Sequence, residues 1–243
     1  MMSSSNKKII IVGATSGIGR EVAKIYLERG NTVGITGRRM SLLQEIKSPY
    51  PGKIHISCFD VRGENNISQL QSLISELGGM DLLIYNSGFG DVSKSLDWEL
   101  DKATYETNVK GFVEIMNFSF NYFLLQGNGH LAVTSSIAAL RGNSWAPAYS
   151  ASKAFQSIYM EGLYMKSKKM KANIFVTDIQ PGFVDTKMAK GNGQFWVAPV
   201  AKAARQIVES IDKKKWKAYV TRRWWFVAQV MKWAPGWLYH KIG

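Results

Sequence analysis

Lys8-Ile9-Ile10-Ile11-Val12-Gly13-Ala14-Thr15-Ser16-Gly17-Ile18-Gly19 decides the architecture. Ile9 to Val12 form an unbroken β-branched run, the pattern of a strand buried on both faces of a parallel sheet. From Ile18 to Arg29, residues Ile18, Val22, Ile25 and Tyr26 recur at helical spacing, and Gly30 suits the helix end. The three glycines therefore fall in a strand–turn–helix junction. There they permit a tight turn, close approach of a pyrophosphate to backbone N–H groups, and close helix–strand packing. The helix N-terminus adds a favourable field for phosphate. A glycine triplet alone is a weak signal. The junction makes Gly13, Thr15, Ser16, Gly17, Ile18 and Gly19 a candidate dinucleotide cradle.

Downstream, short apolar runs at Thr32–Thr36, Ile54–Phe59, Leu82–Tyr85, His130–Ser135, Ile174–Ile179 and Ala218–Val220 read as strands. Helical patterns cover Ile67–Leu77, Lys102–Leu125, Ala146–Lys169 and Pro199–Lys213. Such alternation implies right-handed crossovers and a parallel sheet covered on both faces. The expected fold is α/β, a doubly wound Rossmann-type sheet in three αβα layers. One domain over 1–220 carries it, with 221–243 as a C-terminal aromatic and basic tail. A length of 243 residues suits this reading.

Composition narrows the classes. No apolar run approaches the roughly 18 residues of a spanning helix, and Ile9–Val12 is too short for a signal peptide. The single cysteine, Cys58, excludes an internal disulfide and a cysteine-built zinc site. A cytoplasmic location is expected. The formal net charge is +13, but it is unevenly spread. Residues 213–243 hold Lys213, Lys214, Lys215, Lys217, Arg222, Arg223, Lys232 and Lys241, without one Asp or Glu. They also hold five of the eight tryptophans.

The end of the second expected strand reads Thr36-Gly37-Arg38-Arg39. An acidic residue there would accept hydrogen bonds from ribose hydroxyls and repel a 2′-phosphate. Guanidinium groups instead can pair with a phosphate, so NADP(H) is favoured over NAD(H). A pair of solvated arginines opening a helix is the plainer alternative. Asp60-Val61 puts a carboxylate where it could meet an adenine amino group, or merely shape a turn. Asn86-Ser87-Gly88 follows the fourth strand at the carboxyl edge of the sheet, where ligands bind in such folds.

Tyr149-Ser150-Ala151-Ser152-Lys153 carries the chemistry. Positions i and i+4 share a helix face, so phenol and ammonium should meet, and the ammonium should lower the phenol pKa towards working pH. Ser136 lies 13 residues earlier, at the end of the fifth strand. Taken singly, Tyr149, Lys153, Ser136 and Asn108 pass as a packed tyrosine, a surface lysine and two caps. Catalysis needs them jointly. His55, His130 and His240 lack partners at metal or triad spacing and read as structural, and no metal site is expected.

Together these residues resemble the short-chain dehydrogenase/reductase family. The likeness spans residues 7–200 and rests on Gly13-x-x-x-Gly17-x-Gly19, Asp60, Asn86-x-Gly88, Asn108, Ser136, Tyr149-x-x-x-Lys153 and Pro181-Gly182-x-x-x-Thr186, in the family's order. Departures fall at Tyr85 and Ser87, where the family usually has Asn-Asn-Ala-Gly across 85–88, and at Val12, where many members have Thr. These positions are mainly structural. The resemblance implies reduction of a carbonyl, or the reverse, with Tyr149 as general acid/base, a reaction of CH–OH donors with NADP as acceptor. Lys153 would hold the nicotinamide ribose and Ser136 the substrate oxygen. Asn108 would anchor a water linking Lys153 to solvent, while Pro181, Gly182, Val184 and Thr186 would flank the nicotinamide. A small-molecule substrate and a homodimer or homotetramer are the expected partners.

The family places its substrate segment after Pro181-Gly182, here with Met188, Gly191, Gly193, Phe195 and Trp196. Phe89, Leu140, Trp145 and Phe183 would help to build an apolar pocket. In the tail, Trp224, Val227 and Met231 recur at helical spacing. With flanking cations they fit either an interfacial helix on anionic lipid, at the inner face of a membrane, or packing against protein. No recognition motif accompanies the charge, so nucleic acid is not expected. Two classes stand open: an NADP(H)-dependent oxidoreductase, which the intact Ser136–Tyr149–Lys153 set favours, and a non-catalytic dinucleotide-binding or membrane-associated scaffold.

Overall fold

Ile9, Ile10, Ile11 and Val12 are all fully buried in β1 (Lys8–Val12). Successive side chains of a strand point to opposite faces. Ile9 and Ile11 therefore enter one core and Ile10 and Val12 another. With each buried Ile or Leu worth on the order of 1.5–3 kcal/mol, a one-residue slip would exchange the two sets and is not tolerated. The computed structural model describes residues 6–91, 95–187 and 194–240. Met188, Gly191, Gly193 and Lys241 lie outside the described residues.

The first core is closed by α1 (Gly17–Glu28), α2 (Met40–Lys47) and α7 (Val200–Asp212), through residues such as Val22, Leu43 and Ile207. The second is closed by α3 (Asn66–Leu77), α5 (Gly111–Gln126) and α6 (Pro147–Lys169), through Leu73, Phe112, Phe123 and Met160. Between these layers lie β1, β2 (Thr32–Gly37), β3 (Ile54–Cys58), β4 (Leu82–Tyr85), β5 (Gly129–Thr134), β6 (Ile174–Pro181) and β7 (Lys217–Val220). The sheet order is β3-β2-β1-β4-β5-β6-β7, parallel at every pairing. Strands are added outward from β1 to β3 on one side and from β4 to β7 on the other, and this switch in strand order between β1 and β4 opens a crevice at their carboxyl ends.

Two elements differ from expectation. The helix anticipated over 102–125 starts earlier, as α4 (Trp98–Tyr105), where the Asp97 side chain accepts from the Glu99 and Leu100 N–H groups. It then opens into one π-helical turn, Glu106–Lys110, before α5. Gly111 allows this joint, since a Cβ there would lie 2.3 Å from the Val61 carbonyl oxygen. Such a turn shifts the facing of the residues within it, and it holds Asn108 fully buried. The tail splits at Pro235 into α8 (Trp224–Trp233) and α9 (Gly236–Tyr239), because the residue before proline is driven to extended backbone.

The stripe Trp224, Val227 and Met231 does not face outwards. Together with Ala228 it packs on Ile137, Leu140, Phe183 and Tyr219. Arg141 anchors the far end by donating to the Ala234 carbonyl and stacking 4.5 Å from the Tyr239 ring centroid.

Candidate active site

The glycine turn is shaped by its own backbone. Gly13 has φ +88° and Gly17 φ +56°, conformations that side chains disfavour. Gly13 and Ala14 donate to the Thr36 carbonyl, tying the turn to the end of β2. A Cβ on Gly13 would strike the Ser87 backbone at 2.6 Å, and one on Gly19 would strike the Gly13 carbonyl at 2.3 Å. The Asn86 amide donates to that same carbonyl at 2.9 Å. Asn86-Ser87-Gly88 is thereby pinned beside the turn. Ile18 begins the helix and packs against the first core. Thr186, beyond β6, lies against the position a Gly17 Cβ would take, 3.3 Å from its methyl.

The two arginines take different places. Arg39 reaches over the turn and donates to Thr15 Oγ1 at 2.6 Å and Ser16 Oγ at 3.0 Å. Arg38 is exposed and lies 3.6 Å from Asp60. Asp60 is gripped by Arg62, whose Nε and Nη2 donate at 3.0 and 2.8 Å. Burial raises the Asp60 pKa, but those bonds and Arg38 outweigh it and hold the carboxyl below its ordinary value. Val61 is buried, its carbonyl bonded to the Asn66 amide at 2.7 Å. Arg62 was not anticipated; its spacing of two from Asp60 is the only signal the sequence offers.

At the carboxyl ends of β4, β5 and β6 a second group assembles. Ser136 caps a 3-10 turn, Ile137–Leu140, by accepting from the Ala138 N–H at 3.1 Å. Tyr149 lies near the start of α6, and the Ser136 hydroxyl acts to lower its pKa. Gly90 packs against its ring so closely that a Cβ would lie 2.2 Å from it. Asn108 holds the preceding residue, Phe89, from both sides: its Oδ1 accepts from the Phe89 N–H and its Nδ2 donates to the Phe89 carbonyl. Asn108 Nδ2 also donates to Ser152 Oγ at 2.9 Å.

Lys153 is 3% exposed and donates to the Thr134 carbonyl and to Gln156 Oε1, each at 2.9 Å. Gln156 Nε2 donates in turn to the Asn108 carbonyl at 2.9 Å. The link from Asn108 to Lys153 thus runs through a carboxamide, and Gln156 had no distinguishing signal in the sequence. Burial pulls the Lys153 pKa down to about 7, against the attraction of Asp178. The phenol behaves otherwise than expected. Burial pushes Tyr149 above its ordinary value, with the Ser136 hydroxyl opposing. The ammonium does not reverse this, because it sits 5.7 Å from the ring centroid and its bonds go elsewhere.

Behind these groups Asp178 forms a buried junction. It accepts from Ser135 Oγ, from Ser157 Oγ at 2.5 Å and from Gln180 Nε2 at 2.9 Å, with Lys217 at 3.8 Å. Ser135 adjoins Ser136 and Ser157 lies one turn beyond Lys153, so this carboxylate braces both carriers of the site.

Pro181 is buried, and the Gly182 N–H bonds to the Val220 carbonyl at 2.7 Å. The Trp224 indole fills the space where a Gly182 Cβ would stand, 2.0 Å from its ring. Val184 is buried and bridges to Ala198. A cavity of about 180 Å³ beside Tyr149 is lined by Leu96, Leu100, Thr104 and Trp145 together with Asp91, Asp97 and Asp101. Of the described residues anticipated for the apolar pocket, only Trp145 lines it. Leu140 and Phe183 pack beneath α8, while Phe195 stacks on Trp224, 5.1 Å between centroids. His130 bonds to Thr177 Oγ1, and burial lowers its pKa to about 3.

The residues at the turn fit a dinucleotide. Two left-handed glycines, a helix N-terminus and hydroxyls at Thr15 and Ser16 form a cradle in which a Cβ at Gly13 would collide with Ser87.

Comparison with known proteins agrees with this fold. The chain is 31% identical over 202 residues to an uncharacterized oxidoreductase of Myxococcus xanthus, covering 79% of this chain and 78% of that one. It is 29% identical over 241 residues to an uncharacterized oxidoreductase of Mycobacterium tuberculosis, covering 95% and 91%. A short-chain dehydrogenase from Streptomyces avermitilis shares the fold with TM-score 0.82 at 23% identity, covering 94% and 92%. Another from Burkholderia cenocepacia, solved in complex with NADP, shares it with TM-score 0.83 at 20% identity, covering 99% of each chain. The short chain dehydrogenase model matches residues 7–195, and the chain belongs to that family of oxidoreductases.

Proposed function

We propose that the protein is an NADP(H)-dependent oxidoreductase that interconverts a carbonyl and an alcohol, with Tyr149 as the general acid/base. The observation that carries this reading is buried Lys153 5.7 Å from the Tyr149 ring, at the sheet edge that also holds Ser136 and the glycine turn. A bound nicotinamide dinucleotide supplies or accepts the hydride. Gly13, Thr15, Ser16, Gly17, Ile18 and Gly19 would hold its pyrophosphate, with Asn86, Gly88, Asp60 and Val61 on the adenosine side. Pro181, Gly182, Val184 and Thr186 would flank the nicotinamide, and Lys153 its ribose.

The phenol, kept protonated by burial, gives its proton to the developing alkoxide, and Ser136 stabilises the charge on that oxygen. Lys153, with a pKa near neutrality, returns the proton to Tyr149. Asn108 holds Phe89 and Gly90 against the ring and so fixes the phenol. The substrate is read as carrying an apolar part, because Phe195, Trp196 and Val197 are only half-buried in the segment after Gly182.

NADPH oxidation over ketones, aldehydes and 3-ketoacyl thioesters tests this, with Tyr149→Phe as control. Turnover of at least one class, lost in the control, is expected. NADPH binding with silence across the panel would favour a non-catalytic scaffold. For the 2′-phosphate, Arg38→Ala should lower the NADPH:NADH affinity ratio by about tenfold or more. An unchanged ratio removes the NADP(H) assignment.

A further inference from the structure

α8 is apolar on both sides, and only one side is packed. Trp224, 2% exposed, and Ala228 face the protein. At 100° per residue, Phe226, Val230 and Trp233 fall on the opposite face, 65%, 69% and 82% exposed. Trp225 of α8, and Trp237 and Leu238 of α9, are exposed as well. A surface helix ordinarily turns a polar face to water, and a contiguous exposed apolar patch marks an interaction surface.

Charge selects the occupant. Residues 213–243 contain eight Lys and Arg and no Asp or Glu. Arg222, Arg223 and Lys232 are exposed beside the patch; Arg222 is already paired with Glu209 at 2.7 Å, and Arg223 donates to the Trp196 carbonyl at 2.7 Å. A second copy docked across a twofold axis would set Arg223 and Lys232 against their own counterparts, with no acid in residues 213–243 to answer them. An anionic lipid surface meets both needs: tryptophans suit the headgroup region, and cations suit lipid phosphate. No helix among the described residues is long and apolar enough to cross a membrane, so such contact lies in the plane of the surface.

We propose that the outer face of α8, continued by α9, is a docking surface for anionic membranes. Phe226, Val230, Trp233 and Trp237 enter the headgroup–acyl boundary, and Arg223 and Lys232 meet lipid phosphates. Trp224, on the inner face of the same helix, lies against Gly182 and Phe195. Docking therefore holds the segment after Gly182 behind α8, about one helix diameter from the bilayer. The consequence that an apolar carbonyl substrate arrives from lipid rests on the proposed function; the docking does not.

Co-sedimentation of the full chain with vesicles separates the cases. Phosphatidylcholine vesicles containing phosphatidylglycerol should bind the protein at least about tenfold more tightly than phosphatidylcholine alone, and added salt should weaken the binding. The double variant Phe226→Ser/Trp233→Ser should lose about tenfold or more of that affinity with NADPH oxidation unchanged. Lys232→Glu, which leaves the apolar face intact, should weaken it about tenfold and serves if the double variant fails to fold. Absence of sedimentation with the anionic vesicles, or equal affinity of wild type and both variants, overturns the proposal. So does a dimer in light scattering that the double variant abolishes while vesicles stay unbound. Sedimentation needs no turnover, so its outcome is independent of the catalytic reading.

Discussion

Asp178 and Trp233 stand at opposite extremes of exposure, a carboxylate at 0% and an indole at 82%. Both break the ordinary partition of polar and apolar groups, and the difference lies in what surrounds them. Asp178 is answered by Ser135, Ser157, Gln180 and Lys217, each bonded or paired to it. Its desolvation is offset locally, and what results is fixed geometry at Ser136 and Lys153. Trp233 lies on a helix face that the protein's own core leaves uncovered. A buried polar group that is satisfied points to a site complete within the chain, whereas an exposed apolar face with cationic margins points to a partner outside it.

After Tyr149 itself, Lys153 tests the buried side with the largest effect. Lys153→Met should lower turnover by about 100-fold or more. It should also flatten the pH dependence of stability. The folded lysine titrates at about 7 rather than 10.5, so between those values the unfolded chain takes a proton that the folded chain refuses. Stability from this group therefore rises as pH increases across that window. Thermal melts of wild type and variant from neutral to alkaline pH should show the slope difference, and parallel curves would break the account. Next comes Asp178→Asn, which replaces one acceptor oxygen by an NH2 group facing donors in a dry site and should cost about 3 kcal/mol in denaturant unfolding. A loss under about 1 kcal/mol would mean that the junction braces little. The smallest effect belongs to the exposed side. Phe226→Ser/Trp233→Ser should shift stability by only about 0.5 kcal/mol, since neither side chain supports the core. A large loss would show that this face is packed after all.

The dinucleotide end was legible because its information is local. Ile9 to Val12, the glycine turn and the start of α1 are contiguous, and each obeys a short-range rule. Tyr149 and Lys153 were legible for the same reason, being one helical turn apart. Asp178 was not, since its partners Ser135 and Ser157 lie 43 and 21 residues away and a polar residue in a strand does not announce them. The π-helical turn at Glu106–Lys110 escaped because its cause, the close approach of Gly111 to Val61, is tertiary. In α8 the periodicity was visible but its facing was not. Apolar residues occupy both sides, so only packing decides that Trp224 turns in and Trp233 out. The phenol pKa was misread because spacing reports that Lys153 is near, not that its bonds go to Thr134 and Gln156.

The central claim is that Tyr149 moves the proton. The direct measurement is the single-turnover rate of NADPH oxidation by wild type and Tyr149→Phe, each saturated with NADPH and an accepted carbonyl substrate. The account predicts unchanged NADPH affinity and a rate lower by about 1,000-fold in the variant. A rate within about twofold of wild type, at equal NADPH affinity, would contradict it.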